Sequence, residues 1–399
     1  MTARVAYVSY DGLLEPLGRA QVLPYVIGLA AAGYCMHVLS FEKPDDLAVP
    51  GATDALRARL AEHRVGWTCL SYHRRPSLPA TIWDLMQGRR ALHRLHAERG
   101  LGLVHARSYV AGAMALPLRR HGVPLVFDMR GFWVDERIES GRWPTRGTVV
   151  SAARRLERRL LAESDALVHL TNRAKEVVTE LGPATTSRQV VVPTCVDLTE
   201  FEPKPGVGAL RVRRGFDPSR PLLVHAGTVS GWYLGKETLA VGAAFERMGG
   251  QFLLLTRERS EAQALAHHAG QSVRVESASR AEMPEWLAMA DAGLALVRPT
   301  PAKRASAPTR VGEYLAAGLA VAATSGVGDL ELQFQGSAAA RVFPVPPDPE
   351  GIARWLLETA RRPDRADEAR DLARRHFALP DGLRTLAALY RSMGVLPCA

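Results

Sequence analysis

The sequence predicts an α/β protein made of two doubly wound, parallel-sheet (Rossmann-like) domains that face a cleft. Short apolar runs alternate with helical stretches along most of the chain, and a proline-rich stretch at 193–207, which we interpret as a linker, interrupts the alternation near the middle. Apolar runs that are buried on both faces and separated by helices are typical of a parallel sheet. The length of 399 residues and the 47% hydrophobic content fit two or three globular domains.

Each half of the chain supplies its own strands, and we expect an N-terminal domain over 1–195 and a C-terminal domain over 196–377. Sheets of this kind bind ligands beyond the carboxyl ends of their strands, so the loops at those ends are the candidate site segments. The first set of predicted strands lies at 5–9, 36–41, 66–71, 103–106, 124–127, 166–170 and 190–192. The second set lies at 222–226, 252–255, 273–276, 292–296, 320–323 and 341–343.

The net charge of +10 is concentrated in one region. Between Arg57 and Arg107 the chain has ten arginines against three acidic residues, Glu62, Asp84 and Glu98. Such a patch suits an anionic lipid surface, a phosphate-bearing acceptor or nucleic acid, and a solvated basic face is the plain alternative.

Four cysteines are scattered without any Cys-x-x-Cys pair, so we expect neither a zinc site nor a disulfide framework, and a packing role for each thiol in a reducing compartment. The longest nearly uncharged run near the start, 22–33, is too short to span a membrane, and the start does not look like a signal peptide. We expect a cytoplasmic protein, with peripheral attachment to the inner membrane face left open.

Two loops after predicted strands suit ligand binding. The first strand leads into a glycine-bounded loop and a helix that begins after Gly18, where backbone N–H groups would suit a phosphate. The segment 127–137 combines carboxylates, arginines and aromatic rings, as a sugar site does: Asp128, Arg130, Trp133, Asp135 and Glu136 stand out. An internally paired Asp/Arg loop is the alternative for this second segment.

A third segment, 303–318, places Ser306, Thr309 and Arg310 near the start of a helix. An anion there would meet the helix dipole and a guanidinium together. Glu313, one turn further on, is suited to accept two hydroxyl groups such as those of a ribose.

Taken together, these segments resemble family-4 retaining glycosyltransferases, which have the GT-B fold. The similarity lies in 8–22 (VSYDGLLEPLGRAQV), 127–136 (FDMRGFWVDE), 193–197 (PTCVD) and 313–321 (EYLAAGLAV), and covers essentially the whole chain. It implies transfer of a sugar from a nucleotide-sugar donor to an acceptor hydroxyl, with retention and without a metal or other cofactor. It also implies that the terminal helix within 378–399 packs back on the first domain.

The resemblance assigns Glu313 to the donor ribose and Gly18 to the donor diphosphate. Two departures stand out. Ala305 replaces the first glutamate of the family's Glu-x7-Glu motif, and the loop at Gly227 lacks the usual arginine. Arg257, Lys303 and Arg310 are then the cations that we expect to neutralise the phosphates.

We therefore expect three groups of site residues on a hexosyl or related transferase. The catalytic group is Asp128, Arg130 and Glu313. The donor group is Gly18, Gly227, Thr228, Arg257, Lys303, Ser306, Thr309, Arg310 and Glu313. The acceptor group is Asp11, Arg107, Trp133, Asp135 and Glu136. No metal site and no nucleic-acid partner are expected, whereas a membrane or lipid-linked acceptor is left open. The alternatives are a nucleotide-sugar epimerase or hydrolase of the same fold, and an inactive basic protein that binds lipid or nucleic acid.

Overall fold

The computed structural model describes residues 4–182, 188–203 and 205–398. The chain divides into two compact units, one of Met1–Pro193 with Leu379–Ala399 and one of Thr194–Ala378. Each unit has one sheet in which every described strand pair is parallel. The predicted fold class, with two Rossmann-like units, is confirmed.

The first unit is built on a seven-stranded sheet with the order β3-β2-β1-β4-β5-β6-β7. The interior strand β1 contains a continuous apolar run in which Val5, Ala6 and Val8 are fully buried, as expected for a sheet covered on both faces. The strands are β1 Arg4–Ser9, β2 Met36–Glu42, β3 Gly66–Ser71, β4 Leu101–Arg107, β5 Leu125–Asp128, β6 Ala166–His169 and β7 Gln189–Val191. The helices are α1 Pro16–Gln21, α2 Leu23–Ala31, α3 Pro44–Leu47, α4 Ala52–Glu62, α5 Ser77–Arg99, α6 Ser108–Ala115, α7 Trp133–Glu139, α8 Thr148–Glu163 and α9 Asn172–Glu180, with a 3-10 turn at Leu116–His121.

The second unit is built on a six-stranded sheet with the order β10-β9-β8-β11-β12-β13. The strands are β8 Leu222–Ala226, β9 Gln251–Leu255, β10 Arg274–Glu276, β11 Ala292–Ala295, β12 Ala320–Thr324 and β13 Ala340–Phe343. The helices are α10 Val207–Arg213, α11 Gly235–Arg247, α12 Arg259–His268, α13 Met283–Ala288, α14 Thr309–Ala316, α15 Leu330–Gln333, α16 Pro349–Ala360 and α17 Arg365–Phe377, with 3-10 turns at Leu198–Phe201 and Pro301–Ala305. The expected linker, 193–207, contains the 3-10 turn at Leu198–Phe201. Lys204, also within the linker, lies outside the described residues.

The last helix, α18 (Leu379–Ser392), belongs to the first unit, where it packs against α2. Its apolar stripe buries Leu386 and Tyr390, and Tyr34 Oη donates a 2.9 Å hydrogen bond to the Ala387 carbonyl oxygen. A Cβ at Gly28 of α2 would overlap the Leu383 side chain. A side chain at position 28 would therefore require Leu383 to move.

Cys35 and Cys398 form a disulfide bond, which corrects the expectation that every cysteine only packs as a free thiol. The two residues are 363 positions apart, so no local spacing in the sequence indicates the pairing. They meet because α18 brings the C-terminal segment beside the start of β2, where Cys398 N also donates to the Gly33 carbonyl. Cys69 and Cys195 are thiols that take no part in a disulfide bond.

None of the helices within the described ranges combines the length and the apolar character needed to cross a membrane.

Candidate active site

Three neighbouring strands of the first sheet end at residues that the sequence singles out. β1, β4 and β5 lie side by side and run in the same direction, and their register pairs Ser9 with Arg107 and Arg107 with Asp128. Asp11 and Arg130 follow within two residues of the strand ends. The structure thus gathers four predicted site residues at the carboxyl edge of the sheet, where such folds bind ligands.

Two arginine side chains converge on Gln21 at this edge. Arg107 Nη2 and Arg130 Nη2 donate hydrogen bonds of 2.8 and 2.9 Å to the same amide oxygen, Gln21 Oε1. Arg107 also forms an ion pair with Asp11, and Arg130 Nη1 lies 3.7 Å from Asp128 Oδ2. Two cations and two anions are therefore held in a fixed, largely buried array.

Asp128 is the deepest anion of this array, with only 5% of its side chain exposed. Burial opposes its ionisation, but Arg130 and His105 outweigh that effect and hold the pKa of the carboxyl below its ordinary value. Asp128 is thus a carboxylate near neutral pH, able to accept hydrogen bonds from hydroxyl groups but not to donate a proton.

Sequence reasoning missed the residues that support Asp128 from behind. His105 Nε2 lies 3.6 Å from Asp128 Oδ2, and His105 Nδ1 lies 2.8 Å from Tyr390 Oη of α18. The imidazole also stacks on the Tyr7 ring, with 4.5 Å between centroids. In the sequence His105 is one polar residue inside an apolar strand and Tyr390 is part of an amphipathic stripe, so neither carried a visible functional signal.

A small cavity borders this cluster. Its volume of about 10 Å³ is room for about one water molecule. Its walls are Tyr7, Tyr25, Asp128, Arg130, Val168, Val192 and Leu386.

The backbone is strained on both sides of the array. Ser108, which follows Arg107, has φ of +72°, and Arg130 has φ of +60°. Residues with a side chain rarely adopt this left-handed conformation, which costs of order 1–3 kcal/mol and clusters at functional sites. The strained residues therefore lie at the same sheet edge as the charged array.

The aromatic segment after β5 is partly paired with residues of other helices. Asp135 forms an ion pair with Arg154, and the Trp133 ring stacks on Tyr109 at 5.5 Å between centroids. Arg154 also donates a 2.9 Å hydrogen bond to Glu157. The sequence left open an internally paired Asp/Arg loop. Asp135 is paired with an arginine, but that arginine lies on α8 and not in the loop.

The loop before α1 already holds an anion, and it is a side chain of the protein. The backbone N–H groups of Leu13 and Leu14 donate hydrogen bonds of 2.8 and 2.9 Å to the fully buried carboxylate of Glu42. A Cβ at Gly18 would overlap the carbonyl oxygen of Gly12. Glycine at position 18 therefore serves the packing of α1 on its own loop, whereas the sequence explained it by approach to a phosphate.

In the second unit, a buried carboxylate joins two arginines. Only 2% of the Glu313 side chain is exposed; Arg280 Nη1 donates a 2.7 Å hydrogen bond to its Oε1, and Arg310 forms an ion pair with its Oε2. Burial opposes the charge of Arg310, but Glu313 outweighs it and raises the pKa of the guanidinium. Arg280, which follows β10 and also pairs with Glu200, was missed because it is one of many arginines in this chain.

The loop after β8 contains Gly227 and Thr228, and its shape is set by neighbours. Glu258 accepts hydrogen bonds from the N–H groups of Val229 and Ser230, at 3.0 and 3.2 Å. The buried His225 ring lies 3.0 Å from the carbonyl oxygen of Thr228. The loop's N–H groups at 229 and 230 are thus occupied by a carboxylate of the same unit.

The remaining predicted donor residues lie near the carboxyl ends of β9 and β11. Arg257 follows β9 and is exposed; Lys303 is buried in the 3-10 turn after β11, with Nζ 4.2 Å from the centroid of Trp232. Ser306 and Thr309 are half-buried at the start of α14. Of the expected cations, Arg310 is in contact with Glu313.

Within the described part of the chain, no group of three or more His, Cys, Asp and Glu side chains is arranged to hold a metal ion.

Comparison with known proteins agrees with this architecture. Residues 19–195 match the glycosyl transferase 4-like domain. Over 154 residues the chain is 29% identical to D-inositol 3-phosphate glycosyltransferase of Kineococcus radiotolerans; the match spans 38% of this chain and only 35% of that relative.

Solved structures share the fold over the full length. Sucrose-phosphate synthase of Thermosynechococcus elongatus has a TM-score of 0.74 at 17% identity, covering 98% of this chain and 99% of its own. HepE of Anabaena, crystallised with UDP and glucose, has a TM-score of 0.68 at 15% identity, and the match covers 98% of this chain and 100% of HepE. WaaG, a glycosyltransferase of lipopolysaccharide biosynthesis, has a TM-score of 0.68 at 17% identity, and the match covers 97% of this chain and 99% of WaaG.

The chain has the GT-B fold. The match of its residues 19–195 to the glycosyl transferase 4-like domain agrees with the resemblance to family-4 glycosyltransferases.

Proposed function

We propose that the protein transfers a sugar from a nucleotide-sugar donor to an acceptor hydroxyl, with retention of anomeric configuration and without a metal ion. The observation that carries this proposal is the buried Glu313 carboxylate, held between Arg280 and Arg310 at the first turns of α14. A carboxylate fixed in this way can accept ribose hydroxyls, while the guanidiniums beside it keep further N–H donors for phosphate oxygens.

The neighbouring structures support this choice of donor. HepE was crystallised with UDP and glucose, so the same fold accommodates a nucleoside diphosphate and a hexose. On this basis the second unit binds the donor, with Arg310, Lys303 and the start of α14 close to the phosphates.

Bond cleavage places negative charge on the leaving phosphate. The bond from the sugar C1 to the phosphate oxygen breaks through an oxocarbenium-like state, and a bond from C1 to the acceptor oxygen forms on the same face of the ring. The acceptor proton passes to the leaving phosphate. Arg310 and Arg280 stabilise the developing charge, and because Glu313 already orients them, little reorganisation is needed at the moment of reaction.

The first unit has a different task. Asp128, kept ionised, accepts a hydrogen bond from a sugar hydroxyl and thereby orients the ring. Arg107 and Arg130, locked by Gln21, supply donors for polar groups of the acceptor. No residue of this array is assigned as a nucleophile.

The experiment that tests the proposal measures release of nucleoside diphosphate from a panel of nucleotide-sugars, with and without candidate acceptors, in chelator and in added magnesium. We expect release that depends on acceptor, an unchanged rate in chelator, and a product whose anomeric configuration, read by NMR, equals that of the donor. Turnover without acceptor would indicate an epimerase or hydrolase. Loss of turnover in chelator that magnesium restores would refute metal independence.

A further inference from the structure

Helix α5 exposes large apolar side chains along one face. Leu78, Ile82, Trp83 and Met86 are 53, 53, 45 and 38% exposed, and they are four of the eleven exposed large apolar side chains among the described residues. The spacing of 78, 82 and 86 places three of them in one row along the helix. A row of this kind on an otherwise polar surface marks a binding surface more often than chance exposure.

The same face becomes basic further along. Arg90 and Arg94 follow Met86 by one and two turns and are exposed. Arg74 and Arg75, just before the helix, are exposed as well. The acidic residue within this stretch, Asp84, is fully buried and is bound by the Tyr10 hydroxyl. The exposed face is therefore apolar in its first half and positively charged around it.

A cavity of about 310 Å³ opens beside the middle of α5. It is lined by Arg89, Leu116, Pro117, Arg119, Arg120, Arg159 and Glu163. Arg119 pairs with Asp165 and Arg159 pairs with Glu163, so two of the four lining arginines have a carboxylate partner and the excess charge is positive.

Arg89 is fixed in this cavity. Its Nε and Nη2 donate to the Ala113 carbonyl oxygen at 3.2 and 3.0 Å. Burial and the nearby charge of Arg159 lower the pKa of Arg89, which means that like charges have been brought together in a partly dry place. A bound anion would relieve that repulsion.

We propose that the α5 surface, defined as the exposed side chains of Leu78, Ile82, Trp83, Met86, Arg90 and Arg94 with the arginine-lined cavity beside Arg89, docks on a membrane that contains anionic phospholipid. The apolar side chains enter the interface between head groups and acyl chains, and the arginines and the cavity take the lipid phosphates. The four exposed apolar side chains would not be buried by binding to a nucleic acid. A second copy of this chain would place one basic surface against another, and the two would repel.

The surface also adjoins the candidate acceptor edge. α5 follows β3 and begins at the carboxyl edge of the first sheet, and Asp84 accepts a 2.9 Å hydrogen bond from Tyr10, the residue before Asp11. An acceptor held in the membrane would thus be presented near Asp11 and Arg107. This last step rests on the proposed function; the docking itself does not.

The test is co-sedimentation of the full chain with phosphatidylcholine vesicles that contain or lack phosphatidylglycerol. We expect binding only to the anionic vesicles and weaker binding as salt is raised. Ile82→Ser with Trp83→Ser should abolish it, and Arg90→Gln with Arg94→Gln should lower the partition by about 5-fold for each charge removed. Arg120→Gln tests the role of the cavity and should lower the partition onto anionic vesicles by a similar factor.

Matched controls come from the second unit. Val212→Ser with Leu332→Ser removes two equally exposed apolar side chains, and Arg354→Gln with Arg361→Gln removes two exposed charges. Both double variants should bind as the wild type does. Thermal unfolding of each variant establishes that it is folded.

The proposal is overturned if the wild type binds both vesicle types equally or neither, or if the α5 variants bind as the wild type does. It is also overturned if velocity sedimentation shows a dimer that the Ile82 and Trp83 substitutions dissociate, because the surface would then join two copies. Nucleotide affinity is measured on the same proteins. A wild type that binds nucleotide but not anionic vesicles counts against docking alone, and a wild type that binds anionic vesicles but no nucleotide counts against the proposed function alone.

Discussion

Asp128 shows at the scale of one residue how burial and charge together set a function. Its carboxylate is buried yet ionised, because Arg130 and His105 stabilise the charge more than burial opposes it. Replacement by asparagine preserves the shape and removes the charge. We expect Asp128→Asn to lower turnover by about 10- to 100-fold, since a hydrogen bond to a charged group contributes about 1.5–3 kcal/mol, with nucleotide affinity unchanged.

The same substitution predicts a pH effect on stability. Because the pKa of Asp128 is lowered in the folded state, its contribution to the free energy of unfolding is complete above the ordinary aspartate pKa of about 3.9 and is lost as the pH falls through the lower, folded value. The thermal unfolding temperature should therefore fall more steeply with decreasing pH, below about pH 4, in the wild type than in Asp128→Asn. Asp367→Asn, at a side chain that is 89% exposed, should follow the wild type; equal slopes for all three would contradict the role of Arg130.

Position 305 departs from the family, and the structure changes what that departure predicts. From the sequence, Ala305→Glu should alter sugar preference. Ala305 is only 1% exposed within its 3-10 turn, so a longer, charged side chain has no room there. We expect a loss of about 1–3 kcal/mol of stability from overpacking, measured by denaturant unfolding, before any change in sugar preference; unchanged stability would mean that the turn opens readily.

At the scale of elements, Gly18 allows helix α1 to pack closely against the loop that precedes it. A Cβ would overlap the Gly12 carbonyl oxygen, which belongs to the backbone and cannot swing aside. Gly18→Ala should therefore lower the free energy of unfolding by about 1–3 kcal/mol. Gly208→Ala in α10 is the matched control, because nothing lies within 4 Å of its added Cβ, and it should be neutral or stabilising by up to about 1 kcal/mol. Equal effects at the two positions would contradict the close approach.

The elements themselves were predictable, whereas much of the site was not. Fully buried strands such as β1 and β8 are continuous apolar runs, and polar residues after β1, β4 and β5 could be placed at one sheet edge by topology alone. Glu313 and Arg310 are close because they are three residues apart on one helix. His105, Tyr390, Arg280, Glu42 and Glu258 act through contacts between distant segments, and sequence spacing carries no signal for such contacts.

At the scale of the whole molecule, the C-terminal segment completes the first unit. α18 supplies Tyr390 to the cluster behind Asp128, and the Cys35–Cys398 disulfide ties the segment to β2. We expect alkylation of the unfolded, unreduced protein to label two cysteines, Cys69 and Cys195, and labelling after reduction to reach all four, as read by mass spectrometry. Four labels without reduction would contradict the disulfide.

The proposed function depends on Glu313 as the anchor for a nucleoside diphosphate. Titration calorimetry with UDP, GDP and ADP on the wild type and on Glu313→Ala tests this most directly. Glu313→Gln serves as a second variant that keeps the side-chain shape, in case removal of the carboxylate between two arginines prevents folding. We predict that the wild type binds at least one of these nucleotides and that both variants, shown to be folded, bind it at least about 10-fold more weakly, the loss of one hydrogen bond to a charged group. Folded variants that bind with wild-type affinity, or a wild type that binds none of the three nucleotides, would contradict the proposed role of Glu313.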